Sequence, residues 1–152
     1  MREILFRGKR VDNGEWVEGS LVPITIDCYD KGYEIIDNDG IEYDELDYYN
    51  PTYCSDRVIP ETVGQFIGLT DKNGKKIFEG DIVAHRFFKE ERIDGVVKYG
   101  TFNCSCCNGV YGWYIDGGDI RSLEMEYDED ITPCYVIGNC IDNPELLKEG
   151  AE

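Results

Sequence analysis

A chain of 152 residues with 32 acidic and 15 basic side chains carries a formal net charge of −17. Such a field repels polyanions wherever salt does not screen it, which disfavours charge-driven binding of DNA or RNA. At 41% hydrophobic and 12% aromatic residues the chain has the composition of a globular domain rather than a disordered tail.

The N-terminus lacks the apolar core of a signal peptide, and no apolar run is long enough to span a bilayer, so the expected location is the cytoplasm. The seven cysteines, an odd number in a chain without export signals, are expected to be reduced thiols rather than a disulfide framework. The length fits one cooperative domain. Within it, the expected division is an N-terminal hairpin unit with an acidic insertion at 1–60, then a second portion at 61–152.

In chain order, Ile4 to Lys9 and Glu15 to Val22 flank Asp12-Asn13-Gly14, a strong hairpin signal, with Trp16, Val17 and Leu21 as apolar anchors. From Asp27 to Tyr53 the chain is rich in acids and holds six of its eleven tyrosines. Short strands at 32–36 and 41–43 around Asp37-Asn38-Asp39-Gly40 predict another hairpin, with an anionic tip. Residues 47–56, with Asn50-Pro51, read as a loop or linker.

The organising stretch follows. Val63 to Leu69 alternates in period two, and Asp71-Lys72-Asn73-Gly74-Lys75 suits a tight turn closed by a positive-φ glycine. A return arm at 76–78, a turn at Glu79-Gly80-Asp81 and a new strand opening with Ile82-Val83 come next. The first hairpin shares this pattern: Phe6, Gly8, Asn13 and Gly14 recur as Phe66, Gly68, Asn73 and Gly74. With one residue inserted, Glu18-Gly19 then corresponds to Glu79-Gly80. Two equivalent units are expected, each running strand, Asn-Gly turn, short strand, Glu-Gly turn, new strand.

Beyond it, residues 84–88 and 95–99 predict a third hairpin, Val110 to Ile115 a buried strand, and 134–138 the last strand. Asp116 to Asp130 holds seven acids and one arginine, and reads as a loop or a short helix around Leu123 and Met125. Asn143-Pro144 suits a helix start, with Asn as N-cap and proline at the first helical position of a short closing helix.

The segments GQFIGLTDKNGKKIFEGDIV, GVVKYG and VIGNCIDNPELL, together with the opening REILFRGKRVDNGEWVEGSLV, resemble the YopX family of phage and prophage proteins across nearly the whole chain. The resemblance implies a mostly β protein found in mobile elements, with an SH3-like barrel portion; with the residues above, the expected fold is an SH3-like barrel or roll over 61–152, preceded by the N-terminal β-hairpin unit and closed by the short C-terminal helix. It brings no catalytic residues.

Candidate chemistry is sparse. Cys104, Cys106, Cys107, Cys134 and Cys140 could offer thiolates to zinc, but the spacing departs from zinc knuckles, and no cofactor or metal is expected. Asp37 to Gly40 fails as a calcium loop, since it would put Ile35 at the first ligand position. The one histidine, His85, has no local nucleophile signature, and the chain is read as non-enzymatic. The rival is a thiol-dependent enzyme using Cys104, Cys106 or Cys107.

The four bases Arg2, Arg7, Lys9 and Arg10 are the only concentrated basic candidates, and are expected to pair with the chain's own acids. Asp37, Asp39, Glu42, Tyr43, Asp44, Glu45, Asp47, Tyr48 and Tyr49 form the candidate partner surface, since carboxylates steer approach and tyrosines supply contact area. The reading is therefore an acidic interaction or regulatory module with a protein partner and a capacity for homo-oligomers, not a membrane or nucleic-acid binder. A DNA-mimic inhibitor of a basic protein is the third alternative.

Overall fold

The computed structural model describes residues 4–25, 31–42, 52–86, 92–104, 107–116, 121–122 and 134–147. Their strands are β1 (Phe6–Lys9), β2 (Trp16–Thr25), β3 (Lys31–Glu42), β4 (Thr52–Val58), β5 (Gly64–Thr70), β6 (Lys76–Phe78), β7 (Asp81–Arg86), β8 (Arg92–Cys104), β9 (Cys107–Asp116), β10 (Arg121–Ser122) and β11 (Cys134–Asn139). The chain divides into two compact units, Met1–Phe66 and Ile67–Glu152, with β5 running from one into the other.

In the first unit β1 pairs antiparallel with β2, Phe6 opposite Gly19 and Lys9 opposite Trp16. The connecting turn is held by Arg10 N–H to the Glu15 carbonyl (2.9 Å) and Gly14 N–H to the Arg10 carbonyl (3.0 Å), with Gly14 at φ 73°. At Gly19 β2 changes partner. Ser20 lies opposite Ile36 and Thr25 opposite Lys31, so the second half of β2 belongs to β3, which pairs in turn with β4. The first residues of β5 flank β1, Phe6 opposite Gln65, and Leu5, Ile35, Val58 and Phe66 are buried. Buried Thr62 fastens the short 3-10 turn Pro60–Thr62: its hydroxyl accepts the Lys9 N–H (2.8 Å) and donates to the Ile59 carbonyl (2.7 Å).

The second unit repeats this plan. The β5–β6 turn closes with Asp71 N–H to the Lys75 carbonyl (2.8 Å) and Gly74 at φ 79°. The partner change falls at Gly80, after which β7 pairs with β8 and β8 with β9. Register makes the equivalence concrete. Leu21 opposite Ile35 and Thr25 opposite Lys31 become Ile82 opposite Val96 and Arg86 opposite Arg92, each shifted by sixty-one residues. Ile36 opposite Ser55 becomes Val97 opposite Ile115. The second unit adds β10 beside β9 and β11 beside β7, and its core gathers Ile67, Ile77, Val83, Val97, Trp113 and Ile115, with Leu69, Cys134 and Val136 against them.

Several expectations are corrected. The protein is mostly β, but its strands form open antiparallel sheets ordered β4-β3-β2-β1-β5-β6 and β10-β9-β8-β7-β11 rather than an SH3-like barrel. A barrel needs a ladder joining first strand to last. Among the described residues, the nearest approach in the first unit is the isolated bridge of Arg10 to Val58.

The Glu-Gly turn is present at Gly80 (φ 81°), yet β2 runs straight through Glu18-Gly19. There a Cβ would stand 2.0 Å from the Ile36 carbonyl oxygen, so Gly19 serves a close backbone approach rather than a turn. Nor is there a hairpin at Asp37–Gly40. β3 is continuous and already paired to β4 on both sides of that point, the surplus residues being absorbed as an irregularity between Ile36 and Ile41.

The expected linker at 47–56 contains most of β4, because Thr52–Asp56 meets the far half of β3. The closing helix is a four-residue 3-10 turn, Pro144–Leu147, whose Leu146 N–H bonds the Asn143 carbonyl at 3.1 Å. That bond spans three residues, the 3-10 rather than the α pattern. Asn143 Oδ1 instead accepts the N–H of Asn139, at 3.3 Å. Of the stretch 116–130, Asp116 at the end of β9 and the strand pair Arg121–Ser122 are described; Leu123 and Met125 lie outside the described residues.

Candidate functional site

The β8–β9 ribbon sets the most informative surface. Val97 lies opposite Ile115, Tyr99 opposite Trp113 and Thr101 opposite Tyr111. Because alternate residues share a face, these six side chains form one column. Its inner end is core, with Val97 0%, Ile115 5% and Trp113 5% exposed; its outer end is solvent, with Tyr99 50% and Tyr111 65% exposed. The expected buried strand over 110–115 is thus buried at one end only.

The rings are ordered. Tyr99 lies 4.8 Å from Trp113 at an interplanar angle of 55°, and Tyr111 stands edge-on to Tyr99 at 5.0 Å and 74°. Both distances fall in the range where aromatic quadrupoles attract. On the other face of the ribbon Lys98 pairs with Asp116, and that hydrogen bond raises the Lys98 pKa.

The basic residues near the N-terminus are engaged within the first unit. Arg10 pairs with Asp12 (2.8 Å) and Asp56 (3.2 Å); the hydrogen bond to Asp12 raises the Arg10 pKa and lowers that of Asp12. Arg7, 9% exposed, lies 4.8 Å from the centre of a Trp16 ring, with the Lys9 ammonium at 5.5 Å. Arg2 is outside the described residues.

Of the expected partner surface, Asp37 is exposed on β3, and Asp39 and Glu42 lie further along the same strand. Tyr43, Asp44, Glu45, Asp47, Tyr48 and Tyr49 lie outside the described residues. Among the described residues no group of three or more His, Cys, Asp or Glu is placed to hold a metal ion, and no helix is long and apolar enough to cross a membrane.

The thiols separate by environment. In backbone register Cys104 is the partner of Cys107 on the β8–β9 ladder, and Cys106 lies outside the described residues. Register sets His85 opposite Cys134 rather than either of them. Burial, then the charges of Asp71 and Asp81, push the Cys134 thiol up to about 12, so it is held as the neutral, unreactive form. Cys54 is exposed on β4. Iodoacetamide is therefore expected to label Cys54 readily and Cys134 only on unfolding, as read by peptide mass spectrometry; equal labelling would contradict the burial. Since the unfolded thiol ionises near 9.0, the stabilisation from Cys134 is complete below that pH and declines as pH rises toward about 12.

These features define an all-β protein of two like antiparallel units, the second presenting an ordered aromatic face. The chain belongs to the YopX family: the family model described as YopX protein matches residues 5–148, nearly its whole length. The match supports a phage-type protein of poorly defined function. Among solved structures it is similar to the crystal structure of protein EF1440 from Enterococcus faecalis, with a TM-score of 0.50 and 22% identity over 97% of this chain and 100% of that one. At that identity the likeness concerns fold alone. No curated protein matches the chain.

Sequence reading passed over Tyr99, Tyr111 and Trp113. Val110 to Ile115 reads as a continuous apolar run, and only the register with β8 shows which positions share the core face and where that core ends.

Proposed function

We propose that this YopX-family protein is a non-enzymatic, acidic contact module of the cytoplasm that binds a protein partner through the aromatic face of β8 and β9. The observation that carries the reading is the pair of exposed tyrosines stacked outward from buried Trp113. A folded chain gains little from rings left in water, whereas an interface gains contact area from tyrosines at small entropic cost. Here the rings are braced against one another, which lowers the ordering cost of binding. The charge of −17 adds long-range attraction for a basic partner and repulsion for nucleic acid.

The test is a pull-down from host lysate with the wild-type chain and with a Tyr99→Ser/Tyr111→Ser variant, each with and without nuclease. At least one protein is expected to be retained by the wild type alone, independently of nucleic acid. A retained set that does not depend on the two tyrosines sinks the reading. Because Tyr99 packs on Trp113, thermal unfolding of the variant is read beside the pull-down, and a cooperative transition near that of the wild type separates lost binding from lost folding.

A further inference from the structure

We infer that the Tyr99–Tyr111 face receives a cationic side chain, arginine or lysine, from a basic polypeptide; this rests on the reading above and gives that partner its chemistry. Three observations converge on the sign of the charge. The rings themselves are the first: Tyr111 and Tyr99 are largely open to solvent and supported from below by Trp113, and an exposed aromatic ring attracts a cation through its quadrupole.

The second is the charge of the chain as a whole, 32 acids against 15 bases. A partner cation approaching the rings meets an attractive field, whereas a second copy of this chain brings −17 against −17.

The third is that the chain already uses this pairing within its fold. In the first unit Arg7 and Lys9 lie 4.8 Å and 5.5 Å from the centres of Trp16 rings. The Tyr99–Tyr111 pair offers the same kind of acceptor to solvent.

The experiment titrates a short fluorescein-labelled arginine–glycine peptide, and its citrulline–glycine counterpart of the same shape but no charge, with the full chain, reading anisotropy at low and at physiological salt. Tyr99→Leu and Tyr111→Leu keep bulk and remove the ring, Tyr111→Phe keeps the ring, and Tyr135→Leu alters an exposed tyrosine on β11. The arginine peptide is expected to bind, weakened about fivefold by each leucine change at Tyr99 and Tyr111 and unaffected by Tyr111→Phe or Tyr135→Leu. The citrulline peptide is expected not to bind. Binding of the arginine peptide equally to all variants would overturn this site while leaving a charge-driven acidic module standing. Equal binding of the citrulline peptide would overturn the cation chemistry, and no binding of either peptide overturns both this inference and its basic partner.

Discussion

Alanine at Gly19 is expected to cost about 3 kcal/mol, the upper end of the range for forcing bulk into a packed site, and to lower Tm by about 6–12 °C. A Cβ there would lie 2.0 Å from the Ile36 carbonyl oxygen and 2.9 Å from the Ile35 Cγ2. Neither neighbour gives way easily. Ile36 is backbone in β3, held on one side by β2 and on the other by β4, and Ile35 is 1% exposed. The contact also falls where β2 leaves β1 for β3, so relief on one side loosens the register of the other.

The equivalent glycine fails by another route. Gly80 sits at φ 81°, and a Cβ would meet the Cys140 sulfur at 3.2 Å, so alanine there costs about 1–2 kcal/mol of left-handed strain plus mild crowding. Gly14, at φ 73° with nothing within 4 Å, pays the strain alone. Urea unfolding of the three variants should therefore rank Gly19 worst and Gly14 mildest. A Gly19→Ala protein as stable as Gly14→Ala would show that the close approach is absent.

That comparison also marks how much of the fold could be read from residues. The Asn-Gly turns were legible because Gly14 and Gly74 answer a purely local demand, a positive φ within a few residues. Glu18-Gly19 and Glu79-Gly80 carry the same letters and go different ways. Whether glycine turns the chain or merely lets another backbone approach depends on what lies beside it, and β3 is placed there by pairings distant in sequence. Asp37–Gly40 misleads for the same reason: its turn chemistry is absorbed as an irregularity because β4 spans both sides of it. The duplicated plan was visible in the recurring Phe, Gly, Asn and Gly, but its extension through β3 and β4 into β8 and β9 was not, since register rather than residue identity is what repeats. The aromatic face was hidden likewise, because the exposure of Tyr99 and Tyr111 is set by where the second core stops.

Asp71 carries the other large effect. Asp71 is 5% exposed, and its carboxylate serves both its own turn and a strand far away in sequence: Oδ1 accepts the N–H groups of Asn73 (2.8 Å) and Lys75 (2.9 Å), and Oδ2 accepts that of Val136 on β11 (3.1 Å). Beside it the Lys72 N–H donates to the Cys134 carbonyl at 3.2 Å. The turn thereby caps the edge of β11 that β7 does not pair, and a covered edge is closed to stray strands.

Asp71→Ala is expected to cost about 3 kcal/mol: the Asn73 and Lys75 amides can turn to water, while that of half-buried Val136 cannot do so freely. Asp71→Asn keeps one acceptor but sets an NH2 group against the Val136 N–H, and should cost roughly half as much. Burial alone would push the Asp71 carboxyl up, yet the Val136, Lys75 and Asn73 amides and the Lys75 charge outweigh it, leaving the pKa below the ordinary carboxylate value. A depressed folded pKa stabilises above the unfolded value and ceases to do so as pH falls through the folded one. The stability gap between wild type and Asp71→Asn should accordingly be widest near neutrality and narrow in acid. Amide exchange at Val136 should quicken in the variant before exchange in β8 does. An unchanged Val136 rate, or a gap that widens in acid, would mean that the carboxylate does not hold β11 in place.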